Sequence, residues 1–217
     1  MLGCKRVLLS NDYYPALLRD NVALVTEPIR EVVPDGIVTA DGTRHQVDTI
    51  IFSTGFQVTD TPVKDHIRGR GGRLLAESWT PTMHAHLGTM VCGFPNLFLL
   101  LGPNTGLGHT SVVLMVESQL AQVVAVLRHL RRSGRRSGAV AIEPTVEAQR
   151  RHSAWIDARM AGTVWTAGGC ASWYLDATGR NSTLWPGFAT GYRLRLRRFR
   201  PGDYILSAAV AAPAPPA

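Results

Sequence analysis

Phe94-Pro95-Asn96-Leu97-Phe98-Leu99-Leu100-Leu101, running directly into Gly102-Pro103-Asn104-Thr105-Gly106-Leu107-Gly108-His109-Thr110-Ser111, is the stretch on which the reading of this 217-residue chain turns. The apolar block is short and bounded by proline and glycine, which predicts a central parallel strand at residues 97–101. A long helical segment follows from Val112 to about residue 130. Leu120, Val123, Val124, Leu127 and Leu130 recur in it at near-helical spacing and are expected to face the core. Strand, glycine turn and helix in succession set backbone N–H groups and a positive helix end at the carboxyl edge of a sheet, a common place for ligands. Residues 102–111 match neither G-x-G-x-x-G nor G-x-x-x-x-G-K-[ST]. Glycine, serine and threonine favour turns and caps in any fold, so the decapeptide alone fits a plain helix start as well as a ligand loop. His109 by itself reads as a turn or core histidine before a general base or a metal ligand.

Upstream, residues 22–25, 29–33 and 37–40 and a short run before Asp48 read as strands separated by Pro34-Asp35-Gly36 and Asp41-Gly42, a small antiparallel meander. Thr49-Ile50-Ile51-Phe52-Ser53 is nearly all apolar, as expected of a strand covered on both faces. Downstream, a second helix is expected over residues 146–160. A turn-rich aromatic region follows, and the alternation of Tyr192, Leu194 and Leu196 with Arg193, Arg195 and Arg197 suggests an exposed or edge strand. The Ala-Pro-rich residues 208–217 are expected to be a disordered tail. Only two buried strands are foreseen, at 50–53 and 97–101, as neighbours or near-neighbours in one parallel sheet. Such a pair would leave edges and faces uncovered, so the chain reads as part of a longer fold.

Composition narrows the class. With 45% apolar and 18% charged residues the chain can bury a core. The excess of 23 Lys plus Arg over 16 Asp plus Glu gives a formal charge of +7 that favours anionic partners. No zinc-finger spacing or RNP-like motif accompanies the arginine runs, so specific nucleic-acid binding is not expected. Cys4, Cys92 and Cys170 are odd in number and far apart, which argues against a disulfide framework and for a cytoplasmic setting. No secretory signal or transmembrane segment is foreseen.

Asp48-Thr49-Ile50-Ile51-Phe52-Ser53-Thr54-Gly55-Phe56 resembles the D-x-I-(I/V)-x-A-T-G-(F/Y) motif of class B flavoprotein monooxygenases, the group of Baeyer–Villiger monooxygenases and flavin-containing N- and S-oxygenases. Phe94-Pro95-Asn96-Leu97-Phe98 leading into Gly102-Pro103-Asn104 resembles that family's late FAD-domain strand and flavin-facing loop. The resemblance runs in the family's order up to about Tyr204. It implies an α/β chain, the carboxyl-terminal part of a Rossmann-like three-layer FAD/NAD(P)-binding fold. Residues 1–47 would be a remnant of the NADP-domain side with the meander, and residues 48–207 the later part of the FAD domain. It also implies FAD and NADP(H) as cofactors of the complete parent and a small-molecule substrate. Gly102, Pro103, Asn104, Thr110, Ser111, Val112 and Trp173 are the implied cofactor-binding positions. Gly55 would allow close backbone approach or merely end a strand, and Asn181 would meet NADPH or substrate or serve a turn. Pro103 and Asn104 stand where related disulfide reductases place an acidic residue, which favours the monooxygenase branch.

The family's two dinucleotide-binding glycine loops and its Baeyer–Villiger fingerprint do not occur in the sequence. No catalytic residue and no metal ligand is therefore assigned, and the segment is expected to be inactive without a complementary amino-terminal half. The rival readings are a non-catalytic truncated or split-gene product and a basic surface-binding module.

Overall fold

The computed structural model describes residues 3–4, 8–55, 58–169 and 172–208, so Phe56, Cys170 and most of the Ala-Pro-rich tail lie outside the described residues. Two compact units are present, one of residues 8–56 and the other of residues 1–7 with 57–217.

The smaller unit holds a five-residue helix, α1 (Tyr13–Leu17), and the expected meander of β1 (Ile29–Val33), β2 (Gly36–Thr39) and β3 (Arg44–Gln46), ordered β1-β2-β3 and antiparallel throughout. Pro34-Asp35 closes the first hairpin, with Val33 opposite Gly36. A side chain at Gly36 would strike the His45 carbonyl oxygen at 2.1 Å, so only glycine lets β3 approach. At the second turn Asp41 accepts hydrogen bonds from the Thr39 hydroxyl and from the Thr43 N–H and hydroxyl, which lower its carboxyl to about 2.

The remaining strands foreseen in this unit do not form. Residues 22–25 and 50–53 have no regular structure, and Ile51 and Phe52 are 84% and 79% exposed. A two-faced apolar strand needs neighbours for its backbone groups, and no described strand runs beside it.

The larger unit is built around α3 (Val112–Ser137), with α2 (Leu75–Ser78) preceding it. β4 (Ala141–Pro144), α4 (Val146–Met160), α5 (Val164–Ala167), α6 (Ala189–Arg197) and β5 (Tyr204–Ser207) follow. The Ser111 hydroxyl accepts from the Val113 N–H at 3.2 Å to start α3, and Gly138 ends it in the left-handed region, its N–H on the Gly134 carbonyl at 2.8 Å. Thr145 caps α4 in the same way through the Ala148 N–H at 3.0 Å. β4 and β5 pair antiparallel, with Glu143 opposite Ile205.

Three expectations are corrected. Residues 97–101 are not a strand: their backbone groups find single, scattered partners, Leu99 N–H on the Thr89 carbonyl and Leu101 N–H on the Gln119 side chain. The segment also lies in the other compact unit from residues 50–53, so the expected parallel pair is absent. Residues 189–197 are a helix, because Tyr192 and Leu196, four apart, bury together against Leu107, Met115, Ile156 and Trp185. On α3 the buried face is Met115, Ser118, Gln119, Gln122 and Val126, while Leu120, Val124 and Leu127 are about half exposed beside Val113 and Leu114.

By length and composition α3 is also apolar enough to cross a bilayer, which the sequence reading did not foresee. It packs along α6, buries a mixed polar and apolar face and leaves one apolar side bare, with 28% of its most apolar stretch buried. Cys4 is disulfide-bonded, against the expectation from cysteine spacing, and Cys92 is free.

Candidate cofactor-facing site

The loop that enters α3 is held from below by buried polar side chains in place of a strand ladder. Gln119, fully buried about two turns into α3, donates through Nε2 to the Gly88 carbonyl at 2.9 Å and accepts from the Leu101 N–H at 3.0 Å. Asn104, 4% exposed, donates through Nδ2 to the carbonyls of Asn181 at 2.8 Å and Leu184 at 3.0 Å, and its Oδ1 accepts from Arg180 at 3.2 Å. Asn104 holds φ at +57°, a conformation asparagine tolerates better than most residues. Gly102 is backed by the Gly88 carbonyl, which a side chain would meet at 2.4 Å. Arg180 completes the frame with bonds to Asp157 at 2.8 Å and to the Met83 carbonyl at 3.0 Å.

Above this frame lies a cavity of about 340 Å³ lined by Gly102, Pro103 and Val112, by Leu99, Leu100 and Leu101, and by Trp79, Met83, Ser182 and Thr183 among others. Its size falls in the range of about 300–1,000 Å³ usual for small-molecule pockets. None of the described lining residues is ionisable. One polar atom stands out: the Ser182 hydroxyl is buried, with no hydrogen-bond partner among the described residues. Val112, in the wall, is the first residue of the 26-residue α3, whose leading N–H groups and helix dipole favour an electron-rich ligand edge.

Three of the seven expected positions, Gly102, Pro103 and Val112, thus line one cavity. Asn104 lies under it as a structural pin, and Thr110 and Ser111 flank the helix start without lining it. Trp173 is outside the lining, about half exposed and stacked on Tyr174 with ring centroids 4.7 Å apart. Asn181 serves the turn: its Oδ1 accepts from the Thr183 and Leu184 N–H groups. His109 is exposed, edge-on to Phe188. Gly55 meets nothing where a side chain would stand, but holds φ at +82°. Ser182 and Thr183 were missed because their wide separation in the chain from the loop leaves no mark on either segment. Among the described residues no group of three or more His, Cys, Asp or Glu is placed to hold a metal.

No family model matches the chain. It is 46% identical over 203 residues to a Baeyer–Villiger monooxygenase of Streptomyces coelicolor, covering 94% of this chain and 38% of that protein. The chain is homologous to Baeyer–Villiger and other class B flavoprotein monooxygenases. Among solved structures it is similar to cyclohexanone monooxygenase from Rhodococcus sp. Phi1 bound to NADP+, with TM-score 0.78 and 30% identity over 95% of this chain and 39% of that one. OTEMO in complex with FAD and NADP gives TM-score 0.79 at 30% identity, over 94% and 38%. The architecture is therefore an α/β arrangement related to FAD/NADP-binding monooxygenase domains. This chain spans about two fifths of the length of these relatives.

Proposed function

We propose that the chain is the carboxyl-terminal portion of an FAD- and NADPH-dependent monooxygenase, and that its 340 Å³ cavity receives the edge of the flavin ring. The observation that carries this reading is the buried Ser182 hydroxyl, without a partner among the described residues, in a mostly apolar cavity at the start of α3. The mostly apolar lining suits a flat aromatic ring, and the Ser182 hydroxyl with the positive end of α3 suits its polar rim. The fit is to the ring end only, since the sequence has no glycine-rich loop for the pyrophosphate.

Bound FAD, with NADPH as electron source, supplies the oxygen-transfer chemistry, directed at a ketone or at a nitrogen or sulfur centre. The chain's own part is positional. Ser182 and the α3 N-terminus bind and orient the ring edge, while Leu99, Leu100 and Met83 exclude water. Asn104, Thr110 and Ser111 set the loop, and Trp173 stands toward the nicotinamide side. In this reading residues 1–47 belong to the NADP side, residues 48–207 complete a Rossmann-like FAD domain in the cytoplasm, and a complementary amino-terminal half supplies both phosphate-binding loops.

The test is an FAD titration of the chain alone and after co-expression with the amino-terminal part of a relative. The pair is expected to retain flavin and to consume NADPH in the presence of a ketone or sulfide. Ser182→Ala in the pair should weaken flavin retention by about 0.5–1.5 kcal/mol, one net hydrogen bond. A pair that stays colourless, or submicromolar FAD binding by the chain alone, would overturn the proposal.

A further inference from the structure

A second cavity, about 540 Å³, lies among α4, α6 and the segment that leads into β5, and shares no lining residue with the first. α4 contributes Arg151, His152 and Trp155, α6 contributes Arg195, and Arg198, Arg200 and Asp203 follow. His86 is the remaining polar member of the lining.

Two features of this cleft have no explanation within the chain. The first, judged among the described residues, is charge. Four guanidinium groups face it against one carboxylate, Asp203, and that carboxylate is taken by Arg151 at 2.6 Å. Among the described residues, Arg195, Arg198 and Arg200 have no carboxylate within ion-pair distance. Arg195 is instead laid over the Trp155 ring, 3.8 Å from its centroid, which fixes the guanidinium plane at the cleft wall. Like charges held together without counterions cost free energy that a bound anion recovers.

The second feature is a pair of buried histidines. Among the described residues, His86 is 4% exposed and neither ring nitrogen has a hydrogen-bond partner, and His152 is 6% exposed and its Nδ1 has none. The rings stand edge to face with centroids 6.0 Å apart. Burial lowers His86 to about 4 and His152 to about 3, so both are neutral at pH 7, each with one N–H to donate. A buried donor without a partner is costly, and an oxyanion oxygen satisfies it.

We propose that this cleft binds a small phosphate-type oxyanion, held by Arg195, Arg198 and Arg200 and seated on the His86 and His152 imidazoles. The guanidinium forks match tetrahedral oxygens in pairs. The buried imidazoles favour a compact anion over a polymer, because a nucleic-acid backbone or an acidic peptide would pair with the exposed arginines and leave the floor unsatisfied.

The experiment is a titration of the full chain with inorganic phosphate at constant ionic strength, followed by imidazole nitrogen NMR and by thermal unfolding. Saturable shifts of the His86 and His152 resonances and a raised Tm are expected. Arg198→Gln and Arg200→Gln, both at exposed positions, should each weaken binding about tenfold, the loss of one charged hydrogen bond, with unchanged far-UV dichroism. Imidazole resonances indifferent to phosphate would overturn the proposal. So would an equal response to chloride, or binding of an RNA homopolymer that phosphate fails to displace.

Discussion

Asn104 shows how one side chain can hold a loop that no strand supports. Its amide satisfies two carbonyls and one guanidinium in a buried place. Replacing it with alanine removes these bonds and strands their partners, so Asn104→Ala should cost about 2–4 kcal/mol in urea unfolding. A loss below about half a kcal/mol would mean that the loop is held by other contacts. His86 gives a prediction with pH. Its folded-state pKa, about 4, lies below the ordinary 6.5, so the unfolded chain takes up the proton first as pH falls. Stability is complete above about pH 6.5 and declines toward pH 4, by on the order of 3 kcal/mol from this group, with His152 extending the decline toward pH 3. His86→Phe should flatten that acid limb in denaturation measured across the range. An unchanged slope would assign the acid sensitivity to other groups.

Among the elements, α3 buries a mixed face of Met115, Ser118, Gln119, Gln122 and Val126 and leaves an apolar stripe exposed. Met115 is fully buried among Leu107, Ile156 and Tyr192, whereas Leu120 is 46% exposed. Met115→Ala should therefore destabilise by about 2–5 kcal/mol, and Leu120→Ala in the same chain by less than about 0.5 kcal/mol. Equal costs in chemical denaturation would show that the exposed stripe is packed in solution. α6 illustrates a period misread: Leu194 is 60% exposed while Tyr192 and Leu196 are buried, a spacing of four that alternating leucine and arginine conceals.

For the whole molecule, the bare stripe of α3 and the exposed run at Ile51 and Phe52 are large apolar surfaces of the kind that mark a contact. If a complementary half covers them, co-expression should lower the binding of a hydrophobic dye and raise the Tm relative to the chain alone. Dye binding that is undiminished in a flavin-loaded pair would place the contact elsewhere.

The starts of the two long helices were legible because Ser111 and Thr145 cap them locally, whereas the first runs past the expected end near residue 130 to Ser137, where Gly138 ends it. The meander was legible for the same reason, since Pro34-Asp35 and Asp41-Gly42 carry their own turn chemistry. The quoted motifs also pointed to the monooxygenases to which the chain proves homologous. Only the tertiary structure decided that residues 50–53 and 97–101 are not strands, that residues 189–197 are a helix, and which face of α3 is covered. It alone brought Ser182 to Gly102 and Val112, and Arg195 to His86. A ladder, a buried face and a cavity wall each require a partner distant in the chain, and an apolar run reads the same whether or not that partner is present.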